Sequence, residues 1–108
     1  MNRYIFAPDE TLHVPHLVDL EVTQALRRYV RTGIIPADRG AEALDDLGDL
    51  PLTRYPHQVL LPRIWELRNG LTAYDAAYLA LAEVLDAPLV TRDRALANAG
   101  SRVRVELI

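Results

Sequence analysis

The sequence has 108 residues, half of them hydrophobic, which fits a single globular domain over residues 1–108 with a modest core. Cysteine is absent, so disulfides, thiolate catalysis and cysteine zinc sites are excluded. The net charge of −3 argues against a protein that mainly coats nucleic acid. No apolar run approaches the ~18 residues that cross a bilayer, and we expect a cytoplasmic protein.

Two helices are predicted in the first half of the chain. From Pro15 onward apolar residues recur at helical spacing as far as Gly33, which stands where a C-terminal cap belongs. Pro36 is typical of a first helical turn and precedes a shorter, more exposed helix at Ala37–Leu47. We expect these two helices to form a pair.

The second half alternates strands and helices. Thr72 is predicted to cap a helix that is apolar on nearly every side from Ala76 to Leu85, which indicates a buried central helix. The other predicted elements are a strand at Leu52–Tyr55, a helix at Leu60–Arg68, a strand at Pro88–Thr91, a short helix at Arg94–Asn98 and a strand at Val103–Ile108. This alternation indicates a layered α/β domain with a parallel sheet.

The three histidines show no paired spacing of metal ligands, and we interpret His13, His16 and His57 as loop or cap residues. Two acids have a structural and a functional interpretation each. Glu21 lies at the margin of the first helix's apolar stripe, where, taken alone, it is better interpreted as a surface acid favoured by the helix dipole, and Asp19 qualifies equally well as a site acid. Asp75 follows Thr72 at capping-box spacing, yet a lone carboxylate on an apolar helix needs a partner.

A third acid, Asp93, follows the strand that ends at Thr91, at the carboxyl end where an α/β sheet usually places its site. A plain helix cap explains Asp93 equally well, and Thr91 either assists a metal-bound water or packs at the strand end. A cluster of carboxylates alone is the set of ligands that Mg²⁺ or Mn²⁺ prefers.

Three stretches of the sequence follow one another in the order and spacing of a known family. They are His13–Glu21 running into Ala25–Arg28, then Leu71–Tyr78, then Leu89–Asp93. In these stretches, and over about residues 9 to 108, the sequence resembles the PIN-domain toxins of VapBC toxin–antitoxin pairs. The resemblance implies a PIN-like three-layer α/β domain, a central parallel sheet flanked by helices.

The resemblance also implies an endoribonuclease that cleaves RNA with Mg²⁺ or Mn²⁺. The acids that would bind the ion and act in catalysis are Glu21, Asp75 and Asp93. Arg92 and Arg94 flank the last of them and are candidates to contact RNA phosphate, although solvated surface arginines are the alternative.

The sequence departs from the family pattern at its start. Family members open with a hydrophobic strand that ends in an aspartate, whereas here Tyr4-Ile5-Phe6 is too short, Pro8 interrupts it, and Asp9 lies in a predicted loop. We therefore expect the first strand to be missing, which would leave exposed sheet edges for another chain to pair with.

Three functions compete at this point. The first is a toxin-type ribonuclease inhibited by a cognate VapB-type antitoxin, dimeric through the helical pair Leu17–Leu47 as the resemblance implies. The second is a catalytically impaired PIN remnant that acts as a protein-interaction module. The third, a phosphoryl-transfer domain, is disfavoured because the sequence has no phosphate-binding glycine loop and no lysine.

Overall fold

A computed structural model describes residues 3–6 and 12–108, which form an α/β arrangement. The strands are β1 Arg3–Phe6, β2 Leu12–Pro15, β3 Leu52–Tyr55, β4 Leu89–Thr91 and β5 Val105–Leu107. The helices are α1 Leu17–Arg31, α2 Ala37–Asp49, α3 Leu61–Glu66, α4 Ala73–Leu85 and α5 Arg94–Ala97. A 3-10 turn at Gln58–Leu60 directly precedes α3. Among these described helices, none has the length and apolar character to cross a membrane.

The chain divides into two compact units. One comprises Met1–His16 with Leu52–Ile108, and the other is Leu17–Pro51. The first unit contains all five described strands in one sheet of order β3-β2-β1-β4-β5. The pairs β2–β3 and β4–β5 are parallel, whereas β1 is antiparallel to both its neighbours. The sheet is therefore mixed, and only part of it is parallel as the sequence predicts.

The middle of the sheet corrects the expectation of exposed sheet edges, whereas the absence of the family's opening strand, which ends in an aspartate, stays a prediction. Residues 3–6 form a four-residue strand between β2 and β4, so neither neighbour presents an exposed edge there. Pairing on both sides stabilises a strand that is too short to form alone, and the fully buried Ile5 adds apolar contact. The expectations for Pro8 and Asp9 lie outside the described residues.

Helix α4 is the buried central helix of this unit, as predicted. It packs against β1, β2 and β4 as well as α3 and α5. Every residue from Ala76 to Glu83 is buried. Thr72 caps the start, and the left-handed Asp86, with φ 50°, ends the helix. An apolar surface all round therefore fits a helix that neighbours enclose.

The second unit is the predicted helical pair, α1 and α2. Gly33 follows α1 with φ 77°, a left-handed conformation that glycine adopts without strain. Pro36 is the residue just before α2. A Cβ atom on Gly40 would lie 2.9 Å from Cγ2 of Val30, so this glycine permits the two helices to approach closely.

Strand β2 was not predicted, and neither was the place of His13 within it. His13 lies within β2, is buried, and its Nδ1 is 2.6 Å from the hydroxyl of Tyr55. The interpretation of His13 as a loop or cap residue is therefore wrong. The strand is not evident in the sequence because it is only four residues long and ends at Pro15, where the helical spacing of apolar residues begins. His16 lies in a turn and His57 directly precedes the 3-10 turn, as expected.

Candidate active site

Asp75 stands in the first turn of α4 and is held from two sides. Its backbone N–H donates to Oγ1 of Thr72 at 3.1 Å, and its carboxylate is ion-paired with the guanidinium of Arg3. Half of the predicted capping box is thus formed. Within the described part of the chain the carboxylate pairs with a cation rather than with a free backbone amide, as burial of a lone carboxylate requires.

Arg3 is a site residue that sequence reasoning missed. Its Cα lies opposite that of Thr91 across the β1–β4 pair, and its guanidinium carbon lies 4.0 Å from the ring centroid of the buried Tyr78. Through this backbone pairing and its side chain, Arg3 therefore links the end of β4 to the first turns of α4. No local pattern could have revealed this residue, because its position depends on a strand that the sequence did not predict.

Thr91 and Asp93 form the turn from β4 into α5. The hydroxyl of the fully buried Thr91 accepts a hydrogen bond from the backbone N–H of Asp93 at 3.0 Å. Asp93 then caps α5, since its Oδ1 accepts from the N–H groups of Ala95 at 2.8 Å and Leu96 at 3.3 Å. The capping interpretation is confirmed, and it leaves the carboxylate charge available to a second role.

The predicted site residues are distributed over both compact units. Asp75, Thr91 and Asp93 belong to the first unit, where Arg3 links the elements that carry them. Glu21 lies half-buried on the second turn of α1, in the other unit. Its convergence on the two aspartates stays a prediction. Arg92 and Arg94 are exposed on either side of Asp93.

The donor set can be compared with what a divalent ion needs. Carboxylates and a hydroxyl supply only oxygen, which is the ligand type of Mg²⁺ and Mn²⁺, so the chemistry of Asp75, Thr91 and Asp93 fits these ions. Among residues 3–6 and 12–108, no group of three or more histidine, aspartate or glutamate side chains is arranged to hold a metal ion. The carboxylate of Asp75 is paired with the guanidinium of Arg3.

Comparison with known proteins gives the family. The model of the PIN domain matches residues 2–101 of the chain. The chain belongs to the PIN-domain family. The resemblance drawn from the three sequence stretches is thereby confirmed, and so is the PIN-like α/β fold.

The curated relatives are VapC proteins of this family. VapC ribonuclease Mb0985 of Mycobacterium bovis is 50% identical over 91 residues, which cover 84% of this chain and 72% of that protein. Ribonuclease VapC9 of Mycobacterium tuberculosis matches with the same identity and coverage. Ribonuclease VapC1 of Mycobacterium tuberculosis is 48% identical over 88 residues, 81% of this chain and 66% of that protein. The chain is therefore a homologue of mycobacterial VapC ribonucleases.

Proposed function

We propose that this PIN-domain protein is a toxin-type endoribonuclease that cleaves RNA phosphodiester bonds in the cytoplasm and depends on Mg²⁺ or Mn²⁺. The observation that carries the proposal is the 50% identity to proteins named VapC ribonuclease over 84% of the chain. The family match over residues 2–101 contains all three acids that the sequence predicts for the site.

In this proposal Glu21, Asp75 and Asp93 are the ligands of the ion. A bound divalent ion neutralises charge on the scissile phosphate and activates a water molecule. The protein positions these ligands through hydrogen bonds to their backbone. Thr72 accepts from the N–H of Asp75 in the first turn of α4, and the buried Thr91 accepts from the N–H of Asp93. The exposed Arg92 and Arg94 are placed to contact RNA phosphates.

The proposed partners are a VapB-type antitoxin and a second copy of the chain. The relatives are VapC ribonucleases, and the resemblance to VapBC pairs implies a VapB antitoxin as the partner of such a toxin. In support, the α1–α2 unit carries an apolar groove of ≈ 350 Å³. It is lined by Leu26, Val30, Ala37, Gly40 and Leu44, among others. An apolar groove of this kind suits the apolar face of a partner helix.

A second candidate function is the interaction module, a PIN remnant that binds a partner without cleaving RNA. The ion pair between Arg3 and Asp75 favours it, because a carboxylate already neutralised by a guanidinium attracts a metal ion less strongly. The two candidates differ in one property that is simple to measure, which is cleavage of RNA.

The test is incubation of the purified chain with a mixed RNA substrate in Mg²⁺, in Mn²⁺ and in EDTA. We expect cleavage with either ion and none in EDTA. Cleavage that persists in EDTA would contradict the metal dependence, and intact RNA under every condition would favour the interaction module. Copurification with a VapB-type antitoxin tests that partner, and light scattering tests the dimer.

A further inference from the structure

The ion pair between Arg3 and Asp75 is placed where the proposed function needs a metal ligand. We propose that Arg3 is an internal counter-ion that competes with a divalent cation for the Asp75 carboxylate. The cation then binds this carboxylate only after the Arg3 side chain has moved away. The inference rests on the proposed metal site and names a residue, Arg3, that determines the affinity of that site.

The environment of Arg3 makes it an effective competitor. Its side chain is 12% exposed and that of Asp75 20%, so water screens the pair much less than an ion pair on the surface. The face of the Tyr78 ring, 4.0 Å from the guanidinium carbon, adds a second attraction for the positive charge. Both features hold the guanidinium at the start of α4.

A guanidinium and a metal ion repel each other when both bind this carboxylate. Nη1 of Arg3 binds Oδ1 of Asp75, one of the two oxygens that a cation would take as a ligand. A Mg²⁺ ion sits about 2.1 Å from each oxygen ligand, so an ion at Oδ1 would lie within a few ångströms of the guanidinium. Like charges at such a separation repel strongly in a partly buried site.

The arginine side chain can leave without unfolding the sheet. Backbone pairing of Arg3 with Thr91, Tyr4 with Val90 and Ile5 with Leu89 holds β1 in place. The buried Ile5 anchors the strand further. These contacts do not involve the Arg3 side chain. Rotation of that side chain about its own torsions can therefore take the guanidinium away from Asp75 and let a divalent cation bind there.

The test is a titration with Mn²⁺ in which electron paramagnetic resonance measures the free ion. Arg3→Met removes the competing charge and is expected to bind Mn²⁺ about tenfold more tightly than the wild type, equivalent to about 1.4 kcal/mol. The matched control is Arg104→Met, which removes an exposed arginine paired with Glu106 at 3.0 Å. It should leave the affinity unchanged. Equal affinities for wild type and Arg3→Met would overturn the inference.

A second variant covers the case in which Arg3→Met does not fold, as circular dichroism would reveal. Arg3→Gln retains a hydrogen-bond donor for Asp75 but carries no charge, so it too should bind Mn²⁺ more tightly than the wild type. Affinity of Arg3→Gln at the wild-type level would overturn the inference, and so would the lack of measurable Mn²⁺ binding by any folded variant.

RNA cleavage by the same proteins separates this inference from the proposed function. Tighter Mn²⁺ binding by Arg3→Met without any RNA cleavage would support the counter-ion and contradict the nuclease. Metal-dependent cleavage with unchanged Mn²⁺ affinity would overturn the counter-ion and leave the nuclease standing.

Discussion

Arg63 donates two hydrogen bonds to the carboxylate of Glu83, from Nε to Oε1 at 2.7 Å and from Nη2 to Oε2 at 3.0 Å. The hydroxyl of Ser101 donates to the same Oε2 at 2.6 Å, and Arg102 donates to the backbone carbonyl oxygen of Glu83 at 2.8 Å. The carboxylate therefore ties α4 to α3 and to the segment that follows α5. A buried acid of this kind is stable only with such partners.

The first prediction concerns how much the hydrogen bonds from Arg63 to Glu83 contribute to the free energy of unfolding. Glu83→Gln removes the charge from a side chain that is 8% exposed and weakens both bonds from Arg63. We expect the free energy of unfolding to fall by about 1–3 kcal/mol, toward the lower end because Arg63 is 38% exposed. Chemical denaturation monitored by circular dichroism measures this change.

The matched control for that variant is Glu66→Gln. Glu66 also accepts a hydrogen bond from Arg63, at 3.0 Å, but its side chain is 63% exposed. Its loss should cost about 0.5 kcal/mol or less, as is usual for surface pairs. If the two substitutions cost the same, burial of Glu83 would have no part in the stability of the tie.

The second prediction concerns pH. The hydrogen bond from Arg63 lowers the pKa of Glu83 below its ordinary 4.5, with a further contribution from Ser101, while burial opposes them. Because the pKa is lower in the folded state, the ionised form stabilises the fold above pH 4.5. This contribution is lost as the pH falls through the folded value.

The measurement compares unfolding of the wild type and Glu83→Gln between pH 7 and pH 3. The difference in stability should be constant at neutral pH and should shrink as the solution becomes more acidic than pH 4.5. A difference that stays the same at pH 3, or grows there, would be inconsistent with a lowered pKa for Glu83.

The third prediction separates the two roles of Asp93. Asn caps helices about as well as Asp, so Asp93→Asn should leave stability almost unchanged, whereas Asp93→Ala should cost about 1 kcal/mol by losing the bonds to Ala95 and Leu96. Both variants should lose RNA cleavage, since neither retains the charge. Full cleavage by a stably folded Asp93→Asn would assign Asp93 to capping alone.

The elements that local patterns specify were predictable. Thr72 and the apolar residues that follow it predict helix α4, and the position of Asp93 between a strand and a helix predicts its role as a cap. These features depend on residues close together in the sequence. The family resemblance supplied the site acids, which no single local signal distinguished from caps and surface residues.

The features that escaped prediction all depend on distant partners. Strand β1 is stable only because β2 and β4 flank it, and its pairing with β4 is what brings Arg3 toward Asp75. In the same way the sequence does not reveal the partner of Glu83 on the apolar helix α4, because Arg63 contacts it only when α3 packs against α4. Sequence spacing does not encode such contacts, because they are fixed when the sheet and helices assemble.

The most direct measurement is RNA cleavage in Mg²⁺ or Mn²⁺ by the wild type, Asp75→Asn and Asp86→Asn. Asp86 is the control because it ends the same helix, is exposed, and has a left-handed backbone that asparagine tolerates. The wild type and Asp86→Asn should cleave RNA, while Asp75→Asn should fold normally, by circular dichroism, and cleave none. Undiminished cleavage by Asp75→Asn would contradict the assignment of the active site to Asp75.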